Sequence, residues 1–329
     1  MSLKEKIGQL VVVGFQSDAV DSHIQTMIND YKVGGIILYD RNMDTPQQVT
    51  KLTNDLQHLA KKSEHHIPLI VSIDQEGGQI VRMRDHVSPI PSQQELAKQG
   101  SAKNVFDTAY RNAKELKAMG INVNYAPVMD LSSTDSRSFG EDPKQAKAFG
   151  EQAIAGFQKA GITATLKHFP GNGRSNIDPH LETSSVQANQ LDLENKDIYP
   201  FRKIIKEVNH QQFFMMVTHI KYPAYDKENP ASISPIIIQK LLRQKLGYKG
   251  IVITDDLEMG AVSKYYSYPD LGYRAVDAGA DLLLVCHTLE SQKQVINGII
   301  DAVQSGKLTE DRINQSVKRI LTFKLSMIK

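Results

Sequence analysis

The chain has very little cysteine, no long apolar run and no large excess of charge of either sign. Cys286 is the single cysteine among 329 residues, which excludes an internal disulfide and favours a reducing compartment. Lysine and arginine total 39 against 37 acidic residues, so the basic excess typical of nucleic-acid-binding proteins is missing. No run approaches the ~18 apolar residues of a membrane span. We therefore expect neither a nucleic-acid nor a membrane partner.

The N-terminal stretch MSLKEKIGQLVVVGF has only a short apolar run after its lysines and no small-residue cleavage site. A secretory signal peptide combines a longer apolar region with such a site. We predict that the protein has no signal peptide and is cytoplasmic, although a leader removed ahead of Met1 would leave the same sequence.

Eight short apolar runs rich in valine and isoleucine recur along the chain. Runs of this length without polar alternation are typical of strands buried on both faces of a parallel sheet. The runs are IGQLVVVGF, GGIILYD, PLIVSID, INVNYAPVMDL, TATLKHF, FFMMVTHI, GIVITDD and ADLLLVC. Helical patterns separate several of them. This order predicts an α/β fold, specifically a (β/α)8 TIM-type barrel that forms a single domain over residues 1–329, with a doubly wound open sheet as the alternative.

Capping signals mark two of the intervening helices. Asp142 and Pro143 are suited to begin one helix, and Ser234 and Pro235 are suited to begin another, since Asp and Ser cap helix N-termini and proline fits the first turn. An apolar stripe between positions 104 and 120 predicts a third helix.

Ionisable residues gather where the apolar runs end. In both candidate folds the ligand site lies at the carboxyl ends of the strands, so these side chains are expected to surround one site. The residues at the run ends are Asp74, Lys167, His168, His219, Asp255 and Asp256.

Two aspartates follow each other in ITDDLEMG, where an apolar strand meets a loop. A carboxylate at this place can act as nucleophile, general base or metal ligand. An aspartate here can equally cap the following helix. We assign the chemistry to Asp255 and consider a capping role for Asp256.

The stretch KHFPGNGRSNIDPH ends in an aspartate and a histidine two positions apart. Pro179 favours an extended backbone at Asp178, so the side chains of Asp178 and His180 can approach each other. A carboxylate bonded to one imidazole nitrogen makes the other nitrogen a better base. The alternative is an exposed loop histidine beside a turn aspartate, which the short pattern alone favours.

Other candidates carry weaker signals. Lys167 and His168 share one strand end, although a solvated lysine beside a packed core histidine is the alternative. Arg137 lies between a strand and a helix in RSFGEDP, and Arg82 follows Asp74 in SIDQEGGQIVR. Surface arginines are common, so neither arginine identifies a site by itself.

These motifs, taken in order, resemble those of glycoside hydrolase family 3 and in particular its N-acetyl-β-glucosaminidase branch, whose enzymes trim cell-wall fragments during peptidoglycan recycling. The similar stretches cover essentially the whole predicted barrel. They are DQEGGQIVR, APVMDL, RSFGEDP, KHFPGNG followed by DPH, PAS, and ITDDLEMG. The resemblance implies a β-N-acetylhexosaminidase that acts on a small carbohydrate or a muropeptide, without a cofactor or a metal ion.

The resemblance also implies roles for single residues. Asp255 matches the family's nucleophile, His180 matches its acid/base, and Asp178 matches the partner of that histidine. The residues that match those holding the terminal N-acetylglucosamine are Asp74, Arg82, Arg137, Lys167 and His168.

Two further implications concern the extent of the chain and one loop. The resemblance implies a barrel without the additional sandwich domain that many family members carry. Asn172 stands in the GNG loop where the branch usually has histidine, so the resemblance implies nothing about the loop conformation or the preference for the leaving sugar.

Chemistry of glycoside cleavage with retention supports these roles. A nucleophile must attack the anomeric carbon and an acid must protonate the leaving oxygen. Asp255 would form a glycosyl-enzyme, while His180 would protonate the departing sugar and later deprotonate water. An uncharged acid/base leaves less negative charge beside the anomeric carbon than a carboxylate does, so phosphate in place of water stays open as an acceptor.

Two other classes of protein compete with this interpretation. His168, His180, His219, Asp178 and Asp255 could in principle bind Zn²⁺ in a barrel amidohydrolase, but the sequence has no His-x-His on its first strand. A non-catalytic sugar-binding protein would need the sugar-holding residues without the nucleophile or the Asp-His pair.

Overall fold

The computed structural model describes residues 1–175 and 183–328. Eight parallel strands form one sheet: β1 (Val11–Val13), β2 (Gly35–Leu38), β3 (Ile70–Ile73), β4 (Val123–Asn124), β5 (Ala164–Phe169), β6 (Phe213–Val217), β9 (Val252–Asp256) and β10 (Leu282–Val285). Their order in the sheet is β4-β3-β2-β1-β10-β9-β6-β5. Each corresponds to one of the eight apolar runs, so those strand predictions are confirmed.

The sheet closes on itself between β4 and β5. Val123 pairs with Thr163 and Val128 pairs with Lys167 in isolated parallel bridges, and the N–H of Met129 donates to the carbonyl of Lys167 at 2.6 Å. The predicted (β/α)8 barrel is therefore confirmed, and the alternative of an open sheet is wrong. Closure leaves the carboxyl ends of all eight strands around a single mouth.

Helices pack outside the barrel between successive strands. They are α1 (Leu3–Gly8), α2 (Ser22–Asn29), α3 (Pro46–Lys61), α4 (Gln93–Gln99), α5 (Ala102–Ala118), α6 (Pro143–Lys159), α7 (Gln190–Asn195), α8 (Tyr199–Glu207), α9 (Gly260–Ser263), α10 (Tyr268–Ala278), α11 (Leu289–Gln304) and α12 (Glu310–Met327), with a π-helix over Ile236–Lys245 and short 3₁₀ turns at Asp40–Asn42, Arg84–His86 and Ala231–Ile233. Within the described part of the chain, every helix is too short or too polar to cross a lipid bilayer.

The three helices predicted from the sequence are present. Asp142 caps α6, since its side chain accepts from the N–H of Lys144 at 2.9 Å. The Ser234 hydroxyl accepts from the N–H of Ile237 at 3.1 Å at the start of the π-helix. The stripe between positions 104 and 120 is the buried face of α5.

A short antiparallel hairpin follows β6 and was not predicted. It consists of β7 (Lys221–Tyr222) and β8 (Asp226–Pro230). Neither strand contains an apolar run, and β8 reads DKENP, a composition that strand propensity disfavours. The hairpin forms because tertiary contacts, and not local preference, hold it in place.

The hairpin is hydrogen-bonded to the segment after β5 at two places, first at Gly171 and again at Ser184 and Val186. The Tyr222 hydroxyl donates to the carbonyl of Gly171 at 2.6 Å. On the other side, the N–H of Lys221 donates to the carbonyl of Ser184 and the N–H of Val186 donates to the carbonyl of Lys221, both at 2.9 Å. These bonds fix where the segment leaves the barrel and where it returns.

Candidate active site

A cavity of about 630 Å³ opens at the carboxyl ends of the strands. Six of the eight predicted site residues line it: Asp74, Arg82, Arg137, Lys167, His168 and Asp255. The other two, Asp178 and His180, lie outside the described residues. Strand ends and the loops that follow them, from different parts of the chain, thus bring the charged side chains to one place, as expected for the mouth of a barrel.

Asp255 lies near the end of β9 with its carboxylate in the cavity. Its Oδ1 accepts from the N–H of Asp256 at 2.9 Å, and its Oδ2 lies 3.9 Å from Nε2 of His168. Burial acts to raise the pKa of Asp255, but the imidazoles of His168 and His219 and the N–H of Asp256 outweigh it and hold the pKa below its usual range. The carboxylate is therefore ionised near neutral pH.

His168 is oriented by a buried carboxylate that the sequence analysis did not assign. Nδ1 of His168 lies 2.7 Å from Oδ2 of Asp130, which leaves Nε2 directed towards Asp255. Burial acts to raise the pKa of Asp130, but His168 and two backbone N–H groups lower it below its usual range. Asp130 also accepts from the N–H of Asn172 at 2.7 Å. The backbone of the loop is therefore held at Asn172, the position where the side chain differs from the histidine usual in the branch.

Lys167 and His168 both face the cavity although they are adjacent in a strand. Successive strand residues normally point to opposite faces. The pairing of β5 with β6 shifts register between Leu166 and Phe169, so regular alternation is interrupted there. The alternative of a solvated lysine beside a packed core histidine is therefore wrong.

Lys167 is the centre of a buried ionic cluster. Its Nζ lies 2.7 Å from Asp74 and 2.6 Å from Glu76, and Arg137 binds Glu76 through two bonds of 2.8 and 2.9 Å. Burial opposes the charges, but the ion pairs outweigh it, so the pKa of Lys167 is raised and that of Glu76 is far below its usual range. Glu76, Lys167 and Arg137 are therefore charged, and all four side chains are held by ion pairs.

Arg82 lies at the edge of the cavity beside an aromatic ring. Its Nη1 donates to Asp40 at 3.1 Å, and its guanidinium carbon is 5.3 Å from the centre of the Tyr39 ring. Its buried Nε has no partner among the described residues. Arg82 thus retains a hydrogen-bond donor beside the cavity.

Asp256 does not cap a helix, so the capping role weighed for it is wrong. The N-cap of α9 is Met259, which makes no side-chain capping bond. Instead, Asp256 accepts from the N–H of Cys286 at 3.1 Å and lies 3.2 Å from Nε2 of His287. Its carboxylate binds the end of the neighbouring strand β10, a tertiary contact that strand-end spacing cannot show.

His219 is enclosed by the protein. Its Nδ1 lies 2.7 Å from the Ser232 hydroxyl and its Nε2 lies 2.8 Å from the carbonyl of Asp256, and burial lowers its pKa. Within residues 1–175 and 183–328, no group of three His, Cys, Asp or Glu side chains is arranged to hold a metal ion. The arrangement of these described residues gives no support to the amidohydrolase alternative.

Sequence reasoning missed Glu76, Asp130, Tyr39 and His287 as parts of this site. Glu76 could have been predicted from the sequence, because it stands two positions after Asp74 in SIDQEGGQIVR and residues two apart in an extended chain share a face. Asp130 is the last residue but one of the run INVNYAPVMDL, so it offered a weaker form of the run-end signal that marked Asp74. Tyr39 and His287 follow strands β2 and β10 with no distinguishing motif.

The family of the chain follows from comparison with known proteins. The family model described as the glycosyl hydrolase family 3 N terminal domain matches residues 2–323. The chain belongs to glycosyl hydrolase family 3. Since this match spans the barrel from α1 into α12, the whole cavity described above lies within the family's domain.

Relatives in family 3 differ in length. A beta-hexosaminidase of Nitrosomonas eutropha is 33% identical, with 87% of this chain and 83% of that protein covered. Beta-hexosaminidase A of Pseudoalteromonas piscicida is 31% identical, and the match covers 92% of this chain and 55% of that protein. The solved structure of a family 3 β-N-acetylglucosaminidase from a Paenibacillus species has a TM-score of 0.95 and 38% identity, and the match covers 99% of this chain and 62% of that chain. The chain thus spans little more than half the length of two of these three relatives.

Proposed function

We propose that this chain is a retaining, exo-acting β-N-acetylglucosaminidase in which Asp255 is the nucleophile. The observation that carries the proposal is the position of Asp255: an ionised carboxylate at the end of β9, 3.9 Å from His168 and facing a cavity lined by fixed charges. Names of family 3 relatives, beta-hexosaminidase and β-N-acetylglucosaminidase, support the substrate class.

The reaction proceeds in two steps. In the first step Oδ2 of Asp255 attacks the anomeric carbon, the bond to the leaving oxygen breaks, and His180 gives that oxygen a proton. In the second step His180 takes a proton from water, whose oxygen displaces Asp255 and releases the sugar. The roles of His180 and its partner Asp178 rest on the family resemblance.

The buried ionic cluster would hold the sugar during both steps. Lys167, Arg137 and Asp74 are oriented by Glu76 and by one another, so they are positioned before the substrate arrives. Side chains that are fixed in place and bind the ring hydroxyls favour the transition state, because their hydrogen bonds strengthen as the sugar ring distorts towards an oxocarbenium ion. Arg82 can add a donor at the same rim.

For the natural substrate we propose a terminal N-acetylglucosamine on a peptidoglycan-derived muropeptide or another small β-glycoside. A cytoplasmic place of action rests on the single cysteine. We also propose that residues 1–329 act as one catalytic unit, because the cavity is built from strands that span the whole chain.

Mass spectrometry of a trapped intermediate tests the nucleophile. Incubation with a 5-fluoro N-acetylglucosaminyl fluoride, which slows the second step, should add one glycosyl group to the peptide that contains Asp255. Asp255→Asn should lose both the label and turnover, by roughly 10⁴-fold or more, while Asp311→Asn, an exposed aspartate on α12, should keep both. A label on any other residue, or full turnover by Asp255→Asn, would show that Asp255 is not the nucleophile.

Water is a better acceptor than phosphate for the described part of the cavity. Each of the three lysine and arginine side chains that line it there is already paired with a carboxylate: Arg82 with Asp40, Arg137 with Glu76, and Lys167 with Asp74 and Glu76. An incoming phosphate would meet compensated charges and several carboxylates. Turnover with and without phosphate, with separation of free sugar from sugar phosphate, distinguishes a hydrolase from the phosphorylase alternative.

A further inference from the structure

The sequence motif PAS forms the turn after the hairpin. Residues Ala231–Ile233 are a 3₁₀ turn in which Ser232 is fully buried. The N–H of Ala231 donates to the carbonyl of Ile220, and the N–H of Ser232 donates to the carbonyl of Thr218, both at 2.9 Å. The turn is therefore held against the segment that leaves β6. The proposed reaction uses none of these residues.

His219 joins this turn to the strand that carries the proposed nucleophile. Its ring is buried, with Nδ1 2.7 Å from the Ser232 hydroxyl and Nε2 2.8 Å from the carbonyl of Asp256. A carbonyl oxygen can only accept, so Nε2 carries a proton and donates it in this bond. Burial lowers the pKa of His219. Near neutral pH the ring is therefore uncharged, and Nδ1 accepts from the Ser232 hydroxyl.

The imidazole takes the place of a missing strand contact. On one side of β9, Asp256 is still paired with Leu284 of β10. On the other side, the pairing of β9 with β6 ends at Val217 and Thr254, one residue before the proposed nucleophile. His219 follows β6 and bonds the Asp256 carbonyl through its side chain, where the backbone ladder has already ended.

Asp256 passes this support on to Asp255. The N–H of Asp256 donates to Oδ1 of Asp255 at 2.9 Å, which leaves Oδ2 for attack on the anomeric carbon. The carbonyl of Asp256 accepts from His219 and also from the N–H of Met259 at 3.0 Å. A shift of this backbone would therefore turn the carboxylate of Asp255.

We propose that His219 and Ser232 are positioning residues, which fix the carboxylate of Asp255 for attack through the backbone of Asp256. This inference rests on the proposed function, in which Asp255 is the nucleophile. Reacting atoms must be held about 3–3.5 Å apart and aligned, and a displacement of about 1 Å can cost on the order of 100-fold in rate. Asp256 is the last residue of β9, so side-chain bonds must supply the precision that the sheet no longer gives.

Kinetics on an aryl N-acetylglucosaminide test this role. His219→Leu fills a similar volume but removes both bonds, and it should lower kcat about 100-fold. Ser232→Ala removes only the bond to Nδ1 and should lower kcat about 3- to 10-fold. The dissociation constant of free N-acetylglucosamine, measured by calorimetry, should stay near the wild-type value in both variants, because neither residue belongs to the ionic cluster that would hold the sugar.

A conservative variant and a matched control distinguish positioning from a loss of stability. His219→Gln keeps an N–H donor for the Asp256 carbonyl and should regain most of the kcat that His219→Leu loses. Ser316 is a buried serine on α12 whose hydroxyl donates to Asp281 at 2.7 Å, beside the amino end of β10. Ser316→Ala should become easier to unfold in urea, as Ser232→Ala does, but should keep the wild-type kcat.

Two kinetic results would overturn the inference. One is a wild-type kcat in folded His219→Leu or, if that variant does not fold, in Ser232→Ala. The other is an equal loss of kcat in Ser232→Ala and Ser316→Ala, which would assign both effects to stability.

Nitrogen NMR of a neighbouring imidazole separates the inference from the proposed function, because it requires no turnover. Nε2 of His168 lies 3.9 Å from Oδ2 of Asp255, so its chemical shift reports where that carboxylate lies. The shift should change in His219→Leu and stay in Ser316→Ala. If the wild type cleaves no N-acetylglucosaminide but the His168 shift still changes in His219→Leu, the proposed function fails and the positioning of Asp255 stands. An unchanged shift in folded His219→Leu would remove the positioning role.

Discussion

Nε2 of His168 lies 3.9 Å from Oδ2 of Asp255, while Nδ1 of the same ring lies 2.7 Å from Oδ2 of Asp130. Asp130 thus determines which nitrogen of His168 faces the proposed nucleophile. The ring of His168 is thereby oriented before a substrate binds.

Asp130→Asn should therefore reduce kcat/KM by roughly 10- to 100-fold, the loss expected for one charge-assisted hydrogen bond. Because the amide can present its N–H to Nδ1, the ring loses its fixed tautomer. Steady-state kinetics on an aryl N-acetylglucosaminide measures the effect. Asp135→Asn, at the cavity rim, is the comparison; equal rates for both variants would mean that Asp130 does not act through His168.

Glu76→Gln should destabilise the fold by about 3–5 kcal/mol, because removal of one member of a buried ion cluster leaves Lys167 and Arg137 without full compensation. Both Glu76 and Lys167 have side chains that are 3% exposed. Glu151→Gln breaks the i,i+4 pair with Lys147 and should cost less than about 1 kcal/mol. Urea unfolding measures both; equal losses would show that burial of the cluster adds nothing.

His180→Ala should slow sugar-linked substrates more than nitrophenyl substrates, where an acid catalyst typically contributes ~10²–10⁴-fold. Nitrophenolate leaves readily without a proton, whereas a sugar alcohol does not. Asp178→Ala should show the same order more mildly. Kinetics over a series of aryl leaving groups measures the dependence on leaving-group pKa, and a uniform loss across the series would assign His180 to binding alone.

Lys324→Met should stabilise the protein at neutral and acidic pH. Lys324 is buried on α12 with Gln9 as its hydrogen-bond partner at 2.7 Å, and burial lowers its pKa from 10.5 to about 7. Between these two values the unfolded chain binds more protons than the folded one, so the contribution of this lysine to stability rises with pH from about 7 to 10.5. Below pH 7 Lys324 is charged in the folded and the unfolded chain alike, so the folded protein bears the whole cost of burying that charge.

Unfolding free energies at pH 6 and pH 10 measure this effect. Lys324→Met should gain roughly 1–3 kcal/mol at pH 6 after the lost bond to Gln9 is counted, and much less at pH 10. Lys318→Met, an exposed lysine on the same helix, should change neither value by more than about 0.5 kcal/mol. A gain of equal size at both pH values would contradict the assigned titration of Lys324.

The barrel was predictable from sequence because its strands are buried on both faces and leave continuous apolar runs. Strand ends that carry Asp74, Lys167 and Asp255 were predictable for the same reason, since an ionisable residue stands out after such a run. The partners of these residues were not. Glu76 and Asp130 had local signals of their own, but which groups they bind is decided by contacts across the barrel. Asp256 binds the end of a strand about 30 positions later in the chain, so no local pattern contains these pairings.

The segment after β5 is hydrogen-bonded to the hairpin after β6. These bonds determine how much of the barrel must be moved together if the active-site loop is transferred to another protein. Gly171 and Ser184 bond to Tyr222 and Lys221 of the next βα unit. A loop graft limited to residues 171–186 would therefore reach a new scaffold without its anchors. Protein engineers who transplant this chemistry should move residues 164–234 as one cassette, and natural recombination that cuts inside that stretch should seldom yield an active enzyme.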